Sequence, residues 1–233
     1  MEIKVIASGS SGNATLISDG ETALLLDAGI SYKELQRGTG FKLSSVAGCL
    51  VTHEHQDHSR ACKDLAKMGI NVYASAGTFT ALGMSGHRYK AVRATEMFVV
   101  GSFTVMGFNV KHDAAEPLGY LIYSPLSSEK TIYFVDTAYV KHTFSGIDYF
   151  VVECNHGERE LRDSVNRGVI APELAARIAR NHFSLERLLD FLKANDLSRT
   201  KEIHLVHLSD NNSDERRFKQ EVQRLTGVKV YIH

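Results

Sequence analysis

The sequence predicts a mixed α/β (α+β) fold in which strand-rich segments gather into two mixed sheets with helices on their outer faces. Three observations lead there. Short apolar runs bounded by turn residues recur along the whole chain, helix-periodic segments separate many of them, and the C-terminal half repeats the plan of the N-terminal half. No Pro/Gly/Ser linker, low-complexity tract or short repeat interrupts the 233 residues, so residues 1–233 read as a single domain. A chain of this length buries roughly 70% of its unfolded surface. It needs neither disulfide staples nor a structural metal, and any metal it holds is expected to be catalytic.

The elements follow in order. Residues 3–7 are strand-like, Ser8-Gly9-Ser10-Ser11-Gly12-Asn13 is a sharp turn of small residues, and 14–18 returns as a second strand. Asp19-Gly20 is a favoured hairpin dipeptide. Residues 22–26 form a continuous apolar run ending in Asp27-Ala28-Gly29, as expected of a strand buried on both faces. A short helix is predicted over 31–39 and another buried strand over 46–52. Residues 58–68 have helical spacing, with Ala61, Leu65 and Met68 on one face. Strands are expected at 71–74, 96–100, 103–108, 119–124 and 130–135, with a helix near 77–82. Later come a strand at 149–153, helices at 172–181 and 185–194, a strand at 202–206, a helix at 214–225 with an apolar stripe of Phe218, Val222 and Leu225, and a strand at 229–232.

Composition narrows the function. Lys+Arg and Asp+Glu both total 27, giving no net charge, which argues against a dedicated nucleic-acid-coating protein but allows a local basic groove. Cys49, Cys62 and Cys154 are odd in number and lack C-x-x-C spacing; with no signal peptide in evidence, a reduced, cytoplasmic protein is expected. No apolar run approaches the roughly 18 residues that span a bilayer, so no membrane partner is expected. No obligate protein partner is predicted.

The strongest chemical signal is His53-Glu54-His55-Gln56-Asp57-His58. Imidazole and carboxylate are the ligands that zinc, manganese and iron accept, and four of them lie within six residues on a loop leaving a buried strand. The i, i+2 spacing places His53 and His55 on one side, and Asp57 and His58 begin the helix and reach a second position. The competing reading is a solvated polar turn. Further ligands are expected at distant strand ends, where His112, Asp136 and His207 each sit as a strand gives way to a loop. Taken singly, each reads more readily as a satisfied surface or core polar group than as a ligand; their recurrence at strand ends raises the joint case. The Ser8–Asn13 turn lacks a P-loop Lys-Ser/Thr and opens no helix, so it reads as a tight turn near the site. Cys49 and Cys62 suit packing better than nucleophilic attack, and Cys154 points away from Glu153 and Asn155 by strand alternation.

Together the H-x-H-x-D-H run, Asp27, His112, Asp136 and His207 resemble the metallo-β-lactamase fold superfamily over nearly the whole chain. The Ser8–Asn13 turn, His112-Asp113-Ala114-Ala115-Glu116-Pro117, Glu153-x-Asn155-His156, His182-x-Ser184 and His207-Leu208-Ser209 are similar to one branch of it, the YycJ/WalJ-like (VicX-like) metallohydrolases, associated with double-stranded DNA 5′-to-3′ exonuclease activity. The resemblance implies a four-layer αββα sandwich and two divalent metal ions. It implies that His53, His55 and His112 hold the first ion, that Asp57, His58 and His207 hold the second, that Asp136 bridges them, and that Asp27 orients the ligand loop. Two departures concern substrate handling: Thr137-Ala138-Tyr139 stands where Thr-Gly-Tyr is expected, and Gly157 follows His156 where an acidic residue is expected.

Ion chemistry then suggests a metal-bridging hydroxide attacking a phosphodiester, with Asp57 essential to the centre. His182 is the candidate proton donor, the alternative being a loop histidine without a role. Asn155, His156 and Ser184 are candidate substrate contacts, Ser184 also being a plausible helix cap. Arg159, Arg162, Arg167, Arg177, Arg180 and Arg187 would line a backbone groove for DNA or, given the interspersed acids, form a solvated helical face. The leading expectation is a DNA exonuclease. The alternative is a small-molecule hydrolase (cyclic phosphodiesterase, lactonase or thioesterase) on the same fold. A third is a binding module that has lost its chemistry, which the full set of seven ligands argues against. Zinc, manganese and iron all suit the donor set.

Overall fold

Residues 1–233 are described by a computed structural model. Its strands form a six-stranded and a seven-stranded sheet, as the sequence predicts. The chain divides into two compact units, residues 1–109 with 114–129 and residues 110–113 with 130–233.

The first unit carries β1 (Glu2–Ala7), β2 (Ala14–Ser18), β3 (Ala23–Leu26), β4 (Val46–Leu50), β5 (Val72–Ala74) and β6 (Tyr89–Ala91), which pair in sequence order. The β1-β2-β3 meander is antiparallel and β3 through β6 run parallel. Helix α1 (Tyr32–Gly38) begins at a capping box: Ser31 accepts from the Glu34 amide while the Glu34 carboxylate accepts from the Ser31 amide, satisfying two donors that the first turn leaves open. The single helix expected over 58–68 is instead two, α2 (Gln56–Ser59) and α3 (Cys62–Lys67). Between them Ala61 turns its amide to the carbonyl of Ala28 at 2.9 Å, a tertiary bond that replaces the intrahelical one. Ala61 and Leu65 are buried as the spacing predicts, but Met68 is 58% exposed. Helix α4 (Ala76–Leu82) follows β5 and is capped by Ser75. The antiparallel strands β7 (Met97–Val100), β8 (Phe103–Asn109) and β9 (Leu118–Ser124) complete the unit. Its core packs Leu25, Leu35, Val46, Cys49, Leu65 and Phe79.

The second unit is built on parallel strands β10 (Glu129–Phe134), β11 (Tyr149–Glu153), β12 (Glu202–Val206) and β13 (Lys229–Ile232). Four helices accompany them: α5 (Glu158–Asn166), α6 (Pro172–Asn181), α7 (Leu185–Ala194) and α8 (Glu215–Thr226). Phe191 sits edge-on to Phe134, Phe150 and Phe183 at 5.3–6.3 Å, the geometry aromatic quadrupoles favour. The register decides where chemistry can occur. Glu153 pairs with Val206 and Phe134 with Val152, so the residues that follow β10, β11 and β12 emerge together at the carboxyl ends of three adjacent strands. That edge of a parallel sheet is where ligands bind in open α/β folds.

All three cysteines are buried and free, and burial raises each thiol above its usual range, so none is poised as a nucleophile. No helix is long and apolar enough to cross a membrane.

Candidate metal centre

In the first unit the ligand-rich loop leaves β4 and is laced to two other segments by backbone bonds. The Asn13 amide donates to the Asp57 carbonyl (2.7 Å), the Ala28 amide to the His58 carbonyl (2.8 Å), and the Gly29 amide to the Asn13 carbonyl (2.8 Å). A Cβ at position 29 would lie 1.6 Å from the Asp57 carbonyl oxygen, so only glycine allows this approach. The Ser8–Asn13 turn is therefore a clamp. The Asn13 side chain closes the turn on Gly9 and brings its amide within 3.2 Å of His58 Nε2.

Asp27 is fully buried and sits at φ 58°, in the left-handed region. Its carboxylate accepts from the Thr52 amide (2.8 Å) and hydroxyl (3.1 Å) and pairs with His58 Nδ1 (2.8 Å). A carboxylate on Nδ1 keeps the proton there and leaves Nε2 with its lone pair, the form in which imidazole binds a cation. His58 Nε2 lies 3.4 Å from the Asp57 carboxylate. His53 Nε2 and His55 Nδ1 approach to 3.0 Å, so the i, i+2 spacing does place both on one side. Asp27, His53, His55, Asp57 and His58 thus lie together at the end of β4.

In the second unit Asp136, Glu153, His182 and His207 bring one ligand atom each within 4.8 Å of one another. Asp136 follows β10 and His207 follows β12, and both lie in the left-handed region, at φ 48° and 58°. Asp136 stands 3.2 Å from His207 Nε2, 3.3 Å from His182 Nδ1 and 3.6 Å from His112 Nε2. His112 Nδ1 faces the Asn181 carbonyl at 3.2 Å, an acceptor-only partner that fixes its proton on that nitrogen. Asn155 donates from Nδ2 to the His207 carbonyl at 3.0 Å and lies 3.3 Å from Nδ1 of the same residue. Imidazoles whose second nitrogen is held by a carbonyl or carboxylate, set beside a buried aspartate, are a donor set that fits a divalent cation.

Glu153 is the group that sequence reasoning missed as a site residue. It ends the wholly buried strand β11, accepts from the amides of Thr137 (2.9 Å) and Phe183 (3.1 Å), and holds His182 Nδ1 at 2.7 Å. A carboxylate closing an otherwise apolar strand was the available signal, since an unpaired buried charge is too costly to keep. Burial alone pulls the His182 imidazole down, but the carboxylates of Glu153 and Asp136 outweigh it and push its pKa up to about 10.

Asn155, His156, His182 and Ser184 lie on two short segments pinned to each other. The Asn155 amide donates to the Phe183 carbonyl (2.9 Å), the Leu185 amide donates to the His156 carbonyl (2.8 Å), and a single parallel bridge pairs His156 with Ser184. Ser184 is the N-cap of α7, as predicted, accepting from the Arg187 amide. The arginine segment is divided. Arg159 is paired with Glu160, and Arg177 with Asp113, whereas Arg162, Arg167, Arg180 and Arg187 make no ion pair. Gly157, which stands where an acidic residue is expected, is the N-cap of α5, with the Glu160 carboxylate packed against it.

A family model described as a β-lactamase superfamily domain matches residues 22–207. The chain is 32% identical to exodeoxyribonuclease YycJ of Bacillus anthracis, over 92% of this chain and 85% of that protein. It is also 32% identical to exodeoxyribonuclease WalJ of Streptococcus pneumoniae, over 90% and 82%. Among solved structures, the metallo-β-lactamase fold protein YhfI from Bacillus subtilis superposes with a TM-score of 0.75 at 17% identity, over 99% of this chain and 95% of that one. The chain belongs to the β-lactamase superfamily, as a hydrolase of the metallo-β-lactamase fold.

Proposed function

We propose that the chain is a two-metal phosphodiesterase acting on DNA, an exonuclease working in the 5′-to-3′ direction. What carries the reading is the coincidence of ligand-rich strand ends in both units with chain-long identity to two proteins named exodeoxyribonucleases. In this reading His53, His55 and His112 serve one ion, Asp57, His58 and His207 the other, and Asp136 both. The ions, when bound, supply Lewis acidity and bring a water towards neutral pKa.

The chain's own residues do the rest. Asp27 and Thr52 keep the His58 proton on Nδ1, and Asn155 holds the His207 loop. His182 engages Glu153 through Nδ1, which leaves Nε2 as the nitrogen that would pass a proton to the leaving oxygen. Its side chain keeps 21% of its surface accessible, enough for a substrate atom to reach it.

End-labelled duplex DNA incubated with zinc- or manganese-loaded protein tests the reading. Stepwise release of nucleotides is expected, and Asp57→Ala should abolish it and lose at least one ion. Absence of cleavage under either metal, while a small diester is hydrolysed, rejects it. The balanced net charge favours the second reading, a hydrolase of small molecules, and a panel of diesters, lactones and thioesters separates the two.

A further inference from the structure

Within the second unit, α5, α6 and the start of α7 line an open cavity of about 430 Å³, within the size range of small-ligand sites. We propose that this cavity receives the unstacked nucleobase of the terminal nucleotide, so that the enzyme reads the presence of a base next to the phosphate it attacks. The inference rests on the nuclease reading above and names how that site grips its substrate.

Four observations point to a base. The cavity wall is largely apolar and made of compact side chains, among them Leu161, Val165, Pro172, Ala175 and Ala179, which present little that a flat ring must displace. Its polar members are built in. His156 and Ser184 are each only 2% exposed. The His156 imidazole makes no hydrogen bond within the chain, and its Nδ1 is shut away from solvent. A buried imidazole without a partner is costly to the fold, a cost a bound acceptor or donor removes. Burial, with the charges of His182 and Arg187, holds it neutral down to a pKa of about 4, so it can both donate and accept at the edge of a base.

Arg187 supplies the third observation. Its Nη1 donates to the carbonyls of Ala138 and Ala179, both at 3.0 Å, which fixes the guanidinium while its remaining N–H groups have no partner in the chain. With Arg162, and against the single carboxylate of Glu158, it leaves the lining with one excess positive charge, suited to a group tethered to phosphate, and a guanidinium plane is also a stacking surface. The fourth is placement. Glu153 and Asn155 serve the cluster around Asp136 and His207, whereas the next residue, His156, lines the cavity. His182 serves the cluster and Ser184, two residues on, lines the cavity. The two short segments therefore place the cavity beside the cluster around Asp136 and His207.

The test is binding, read apart from turnover. Deoxyadenosine 5′-monophosphate and deoxyribose 5-phosphate are titrated against the full chain by calorimetry. Stacking and edge contacts for one base predict about tenfold or greater preference for the nucleotide. Ala176→Trp, at an exposed cavity-lining position, should fill the space and bring both ligands to equal affinity. Leu174→Trp, on the same helix but 45% exposed and outside the cavity, should keep the preference. Equal affinity of the two ligands for the unmodified chain, which would mark a phosphate pocket only, overturns the proposal. So does a preference that survives Ala176→Trp. A chain that discriminates the ligands but leaves duplex DNA intact upholds the cavity and rejects the nuclease reading, and the converse result rejects the cavity alone.

Discussion

Replacing Asp27 by Asn removes one charge and exchanges one acceptor for a donor, and little else. Asn tolerates the left-handed backbone at φ 58° as readily as Asp, so the chain path is not the variable. The amide oxygen can still accept from the Thr52 amide, now at 2.8 Å. The amide nitrogen, however, would face His58 Nδ1 at 2.8 Å, donor against donor. The proton must then move to Nε2, the nitrogen that faces the cation in the proposed centre. A hydrogen bond to a charged partner contributes about 1.5–3 kcal/mol, and loss of such an orienting partner lowers metal affinity about 10–100-fold. The two figures agree, because each factor of ten is about 1.4 kcal/mol. Competition against a chelator of known affinity, with ion counting, reads the effect. One ion should weaken by about 10–100-fold while the ion held by His53 and His55 is retained. Two ions bound with unaltered affinity would refute the role assigned to Asp27.

Two other outcomes follow from the same geometry. Gly29→Ala puts a methyl 1.6 Å from the Asp57 carbonyl oxygen, so the loop must move; a loss of about 3 kcal/mol or more in urea unfolding is expected, and an unchanged midpoint would contradict the clamp. His156 binds its proton more weakly folded (pKa about 4) than unfolded (about 6.5), so its neutral form favours the fold above pH 6.5 and that contribution falls away as pH drops towards 4. The metal-free chain should lose about 2 kcal/mol between pH 7 and pH 5 on this account, or about 4–8 °C in melting temperature. His156→Gln should flatten that slope; an identical slope in the variant would remove His156 as its source.

The buried strands were legible because their sequences leave no alternative. Val46–Leu50 and Tyr149–Glu153 are apolar runs bounded by turn signals, and nothing but a sheet interior satisfies both their backbones and their side chains. Ser184 was legible as a cap for a local reason, a hydroxyl three residues ahead of the amide it serves. What escaped was decided by distant partners. Strand β6 has three residues, one half-buried and two exposed, and carries no periodic signal. The break between α2 and α3 depends on a carbonyl at Ala28, more than thirty residues earlier. Helix α5 mixes arginines with acids so evenly that its amphipathic face, Leu161 with Ser164, reads as a solvated stretch. The left-handed turns at Asp136 and His207 leave no trace in a sequence, because neither residue type requires them.

Those turns set a limit on how this enzyme can be improved. Asp27, Asp136 and His207 each hold a left-handed conformation that glycine would occupy without steric cost. Glycine there would relax the backbone but strip out buried pairs such as those of Asp27 with Thr52 and His58 and of Asp136 with His207, so backbone ease and side-chain pairing are traded at the same positions. Directed evolution of this scaffold has to score turnover in every round, because a substitution that relaxes these turns also removes the side chains the chemistry uses.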